Sequence, residues 1–140
     1  MTRCRLCGGE PDAVMSARWE FLVPIEPPSQ NTIASNKGAG RFRYAKVRTD
    51  FEIYFRVRIV QLKIPRATRR RRVMFTRYYT GQRARSRDHG NFIGGMKPVL
   101  DALVRQGMLV DDRPEYCEDY YRQERHDCIS GIALVLEEFA

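Results

Sequence analysis

Three aspartates in this 140-residue chain stand where chemistry on a phosphate ester could use them. Asp88 follows a stretch, residues 53–87, that holds twelve basic side chains and no acidic one, and the adjacent pair Asp111 and Asp112 follows the clearest helical pattern in the sequence. Mg²⁺ binds through carboxylates and keeps several of its waters, so two or three convergent acids suffice. Such an ion activates water and neutralises the charge that develops on the leaving oxygen of a phosphodiester. An adjacent Asp pair is also common on protein surfaces, so Asp88, Asp111 and Asp112 are candidate ligands for Mg²⁺ or Mn²⁺ only together with what surrounds them.

The surroundings are basic. Of 25 basic residues 21 are Arg, against 17 acids, for a net charge of +8. Arg suits phosphate because its planar fork donates paired hydrogen bonds and stays charged at every physiological pH. An anionic polymer is therefore the default partner, although a biased genome also inflates Arg. Eleven of the 17 acids come after Arg87, which suggests a DNA-facing half joined to a half that carries carboxylates. Arg66, Arg69, Arg70, Arg71 and Arg72, with Arg77, Arg83, Arg85 and Arg87, are the expected phosphate-binding surface, and binding there should weaken steeply with salt. Tyr78 and Tyr79 could stack on unpaired bases, set against ordinary packing in a sheet.

Cys4 and Cys7, followed by Gly8 and Gly9, form a C-x₂-C knuckle like half of a zinc ribbon, and Cys117 with Cys128 or His126 could complete four ligands for a structural Zn²⁺. The second pair lacks knuckle spacing, and free thiols are the alternative. No apolar run approaches the roughly 20 residues that cross a bilayer, and no leader pattern stands at the N-terminus. The expectation is a cytoplasmic protein without membrane contact, whose cysteines are thiols or metal ligands rather than disulfides.

The elements that must hold these groups fit one compact domain, with 43% hydrophobic residues for a single core. Residues 1–16 read as an extension carrying the knuckle and residues 17–140 as the domain. Residues 18–23 alternate as a strand, with Trp19, Phe21 and Val23 on one face, and Pro24, Pro27 and Pro28 end it. Residues 31–40, rich in Asn, Ser and Gly, read as a mobile surface loop. Residues 44–62 fit both periods, and their length favours a helix. Residues 73–79 read as a strand. Residues 92–107 form a helix with Asn91 as N-cap and Gly107 as stop, its first turns weakened by Gly94, Gly95 and Pro98. Residues 129–138 form a buried strand with which residues 119–125 are expected to pair. The class is mixed α+β (α/β), one small domain with a mixed sheet and packed helices.

The order of motifs resembles the RusA family of Holliday junction resolvases. Pro27, Pro28, Ser29 and Asn31 look like that family's Pro-Pro-Ser-x-Asn loop. The likeness resumes at Arg87, Asp88, Asn91 and Lys97, continues through Asp101, Ala102, Leu103 and Gly107, and ends at Asp111 and Asp112. The resemblance implies a RusA-like fold and a bacterial or phage-encoded homodimer that binds four-way DNA junctions by structure and makes paired, Mg²⁺-dependent nicks. It further implies that Asp88 and Asp112 are catalytic metal-binding aspartates, that Lys97 is the catalytic lysine, stabilising charge on the phosphate, and that Arg87 is a basic residue beside the site.

Two departures bear on activity. The family's Asp-x-Asp-Asn is here Asp88, His89, Gly90 and Asn91, so one carboxylate is missing, and Asp111, His89 or a water could fill its place. Three residues are also inserted before Lys97, where Gly94 and Gly95 lie. A straight helix from Asn91 to Gln106 would be about 24 Å long and would hold Asp88 away from Asp112. They would then meet through a broken helix, a returning loop or a two-fold partner, and the partner is the favoured expectation. Two other readings remain open: a catalytically weakened junction-binding protein, suggested by Gly90, and a zinc-knuckle nucleic-acid-binding adaptor, suggested by the cysteines.

Overall fold

Proline punctuation and period-two alternation set the first strand. In the computed structural model, which describes residues 14–34 and 37–140, β1 (Met15–Val23) buries Phe21 and Val23 and stops at Pro24. It starts two residues ahead of the domain boundary expected at residue 17. A short α1 (Gln30–Ala34) and a 26-residue α2 (Lys37–Leu62) follow, so most of the loop expected over residues 31–40 is helix. The reason is a cap. Ser29 Oγ accepts from Thr32 N at 3.3 Å, which satisfies one of the open donors of a helix N-terminus directly after Pro28.

The helical period wins over residues 44–62 because Phe51 and Phe55, four apart, fill the core completely. Burial of each contributes about 1.5–3 kcal/mol. Lys63 ends α2 in the left-handed region (φ 54°), and Ile64 N donates back to Ile59 O at 3.1 Å, closing the last turn.

β2 (Arg71–Tyr79), α3 (His89–Gly95), α4 (Lys97–Arg105), β3 (Cys117–Arg125) and β4 (Gly131–Phe139) complete the chain. The sheet order is β1-β4-β2-β3, with β4 antiparallel to both of its neighbours and β3 parallel to β2. The pairing expected between residues 119–125 and the last strand is therefore corrected: β2 lies between them. The loop that follows β3 crosses the end of β2, where His126 N donates to Tyr79 O at 2.9 Å and Thr80 Oγ1 to Asp127 O at 3.0 Å. Both edges of β2 are thus hydrogen-bonded, and α3 and α4 form the crossover that a parallel pair requires.

The helices cover one face of the sheet. Val73, Phe75, Ile132, Leu134 and Leu136 from the strands meet Phe51, Phe55, Phe92, Met96, Val99 and Leu103 from the helices. The result is a single small α+β domain with a mixed four-stranded sheet, as the sequence led us to expect. On the opposite face Met74, Thr76 and Val135 floor a shallow concavity of about 670 Å³ rimmed by Arg18, Glu137 and Arg122. No helix among the described residues is long and apolar enough to cross a membrane.

Candidate functional site

The helix expected over residues 92–107 is broken at Met96, whose N–H bonds Ile93 O at 3.0 Å, and Pro98 stands in the first turn of α4 where its missing N–H costs nothing. Asp88 takes the N-cap place expected for Asn91: its Oδ2 accepts from Asn91 N at 3.1 Å. Asn91 is used differently, its Oδ1 accepting from Asn31 N at 3.1 Å. Arg87 reaches the same loop, donating to Pro27 O at 2.6 Å and lying 3.5 Å from Glu26. Gly95 lies beneath it, since a Cβ there would come within 2.0 Å of Pro28 O. The Pro-Pro-Ser-x-Asn loop, Arg87, Asn91 and Gly95 therefore make one clamp. Inside it, burial and then the nearby Arg77 pull the Arg87 pKa down, while Glu26 opposes them.

On α4, Lys97 and Asp101 sit four apart and so share a face. Asp101 Oδ2 accepts a short hydrogen bond from the Tyr44 hydroxyl of α2, and burial with this carboxylate raises the Tyr44 pKa. Asp111 and Asp112 follow in the turn ahead of β3. Asp111 Oδ1 accepts from Asp112 N at 2.7 Å and Oδ2 from Arg113 Nε at 2.8 Å. The two carboxyls also share a side-chain hydrogen bond, which lowers Asp111 and raises Asp112. Burial and the negative charges of Asp111 and Asp101 push Asp112 up further. Asp112 therefore feels the charges of both Asp111 and Asp101, and its own charge reaches Tyr44 and Tyr121.

This donor chemistry fits a hard cation. Carboxylates are hard oxygen donors, and a divalent ion that keeps its waters needs only one or two of them. It does not describe a site built wholly from protein ligands, because among the described residues no three His, Cys, Asp or Glu side chains converge as a metal-binding group. Asp88 caps α3 instead of joining them. The sequence reading passed over Tyr44 and gave Asp101 no role of its own. Its i, i+4 spacing from Lys97 was the available signal.

The arginines divide. Arg71 and Arg72 are buried, paired with Glu138 at 3.1 Å and Glu118 at 3.2 Å, and Arg77 is buried against Glu26 and Gln123. They present little charge to a ligand. Arg70 lies over the Phe139 ring and donates to Pro114 O at 3.1 Å, leaving Arg66 and Arg69 exposed near the turn that carries Asp111. Arg83 and Arg85 are exposed at the other end of β2, on the side of Asp88. A nine-residue strand separates the two groups by about 27 Å, so the surface expected to be continuous is two patches. The Tyr79 ring lies between the Arg77 and Arg125 guanidiniums at 5.0 and 5.1 Å, and Tyr78 meets the His126 ring edge-on.

Cys117 opens β3, buried, and Cys128 lies exposed beyond its far end, both as free thiols. At about 3.3 Å per residue the strand holds them much too far apart to share one tetrahedral zinc. Cys128 Sγ lies 3.8 Å from His126 Nδ1, and Cys4 and Cys7 are outside the described residues. Neither a scan against protein-family models nor a search of curated proteins finds a match to this chain.

Proposed function

We propose that this chain is a Mg²⁺-dependent endodeoxyribonuclease of the RusA type that acts, as a homodimer, on four-way DNA junctions. The observation that carries the reading is the clamp. Residues 27–31, Arg87 and Asn91, which make up the first half of the motif series, bond directly to one another, and the next helix presents Lys97 and Asp101 beside Tyr44. A motif series spread through the chain by chance would have no reason to interlock in this way.

In this reading Asp112 and Asp111 would hold the cation together with its own waters, Asp101 would add negative charge nearby, and Lys97 would offset charge on the phosphate undergoing attack. Such an ion, when bound, would supply a water nucleophile of lowered pKa. Asp88 joins from the two-fold partner.

The test is incubation of an end-labelled mobile junction with the protein, with and without Mg²⁺ or Mn²⁺, beside linear duplex of the same sequence. Paired nicks confined to the junction and to the metal-containing lanes are expected; equal cutting of duplex, or none of either, refutes the reading. One observation favours a second reading, a junction-binding protein without cleavage: Gly90 brings no carboxylate to a position whose Cβ would lie 3.9 Å from Asp88 Oδ2. That reading predicts a junction gel shift and no nicks.

A further inference from the structure

We propose that the groove between the first half of α2 and the start of α4 seats the sugar-phosphate backbone of a DNA strand, with Arg41, Arg48 and Lys97 as its phosphate contacts. The inference rests on the nuclease reading for the identity of the ligand and goes beyond it in placing the strand.

The groove encloses about 520 Å³, and its lining contains three cations and no carboxylate. Arg41, Tyr44 and Arg48 recur at i, i+3 and i+7, one face of α2, and Lys97 faces them from the first residue of α4. Several other arginines of this protein are consumed by internal partners: Arg71 by Glu138, Arg77 by Glu26, Arg113 by Asp111. Here they are not. Arg41 and Lys97 are exposed and have no ion-pair or hydrogen-bond partner among the described residues.

Arg48 is held only loosely. Glu52, its ion-pair partner, lies 4.0 Å away and is bonded to Arg105 at 2.6 Å. Arg48 Nε is enclosed without any hydrogen-bond acceptor. The Arg48 side chain as a whole keeps 28% of its exposure and lines the groove, which is the part a phosphate would meet. Tyr44 links this groove to the reaction site, since it lines the wall and donates to Asp101. A strand lying along Arg41, Arg48 and Lys97 would thus pass a phosphate beside the carboxylates.

The experiment measures fluorescence anisotropy of a labelled four-way junction in EDTA, so that cleavage cannot contribute, across a salt series. Arg41→Ala should weaken binding roughly three- to ten-fold and make the log–log salt slope shallower by about one. Arg18→Ala, on the opposite face of the sheet from the groove, should change neither, and thermal melts of both variants should match wild type. An unchanged affinity and slope for Arg41→Ala overturns the groove, as does an equal loss at Arg18. If the wild type binds no junction, groove and nuclease reading fall together. If Arg41→Ala weakens binding but no metal produces nicks, the groove stands and the cleavage reading fails.

Discussion

Arg71 donates from Nε to Glu138 Oε1 at 3.1 Å, with Nη2 in ion-pair range of the same oxygen at 3.1 Å, from a position with no solvent exposure. Its remaining donors reach Met108 O at 3.1 Å and Pro65 O at 2.9 Å, and its guanidinium lies 5.0 Å from the Trp19 ring. One side chain thus ties the start of β2 to the end of β4 and to two turns. Truncation would strand a carboxylate and two carbonyls, so Arg71→Ala should cost about 3–5 kcal/mol in urea unfolding. Arg71→Lys should recover only part, because an ammonium cannot span the fork. Arg69→Ala should stay within about 0.5 kcal/mol. Equal effects at the two positions would contradict the burial contrast.

The same contrast explains what could be read from the sequence. Trp19, Phe21 and Val23 announced β1, and Gly107, left-handed at φ 79°, marked the end of α4. Both signals are local. Arg71 and Arg72 looked like a charged surface run because their acids, Glu138 and Glu118, lie 46 or more residues away and become neighbours only when β2 enters the middle of the sheet. The parallel pairing of β3 was hidden for a related reason: a crossover through α3 and α4 leaves no turn signature between the paired strands. Tyr44 was legible only as one aromatic on a helix until α4 packed against it and brought Asp101 to its hydroxyl.

Glycines 90 and 95 should respond oppositely to substitution. A Cβ at Gly90 meets nothing closer than Asp88 Oδ2 at 3.9 Å, and no left-handed backbone is required there. Gly90→Asp should therefore fold, gain up to about 1 kcal/mol from relief of the glycine penalty, and restore the family's missing carboxylate. Metal-dependent nicking should rise. At Gly95 a Cβ would collide with the Pro28 carbonyl at 2.0 Å, which is backbone and cannot swing aside. Gly95→Ala should lose about 1–3 kcal/mol and loosen the clamp. Chemical unfolding and nicking rates of the two variants, measured side by side, check both; a tolerated Gly95→Ala would mean that the loop is not seated as described.

Cys117 should be inert where Cys128 is reactive. Burial, with Asp119 and Asp112 nearby, pushes the Cys117 thiol up to about 12, while Cys128 is exposed. Alkylation by iodoacetamide at pH 8, followed by peptide mapping, should modify Cys128 and spare Cys117 until the protein unfolds. The linkage runs in one direction. An unfolded thiol ionises near pH 8.5 whereas the folded one holds its proton, so stability is unaffected below that pH and falls as pH rises toward 12. Cys117→Ala should lower stability at neutral pH and remove this part of the alkaline decline; an unchanged decline would show that other groups cause it.

Asp88 and Asp112 act together, on the proposed reading, only across a two-fold axis. Within one chain Asp88 caps α3, while Asp112 shares its field with Asp111 and Asp101. Asn is as good an N-cap as Asp, so Asp88→Asn should keep the cap and test only the charge. Each single variant, Asp88→Asn or Asp112→Asn, should lose nicking by at least about a hundred-fold if its carboxylate serves the cation. An equal mixture, unfolded and refolded together, should regain roughly a quarter of wild-type sites, since half the dimers are mixed and each mixed dimer holds one intact site of two. A mixture as inactive as its parents would confine the site to a single chain. Asp88 would then be a capping residue alone, and Asp101 would become the natural second carboxylate, to be tested by Asp101→Asn.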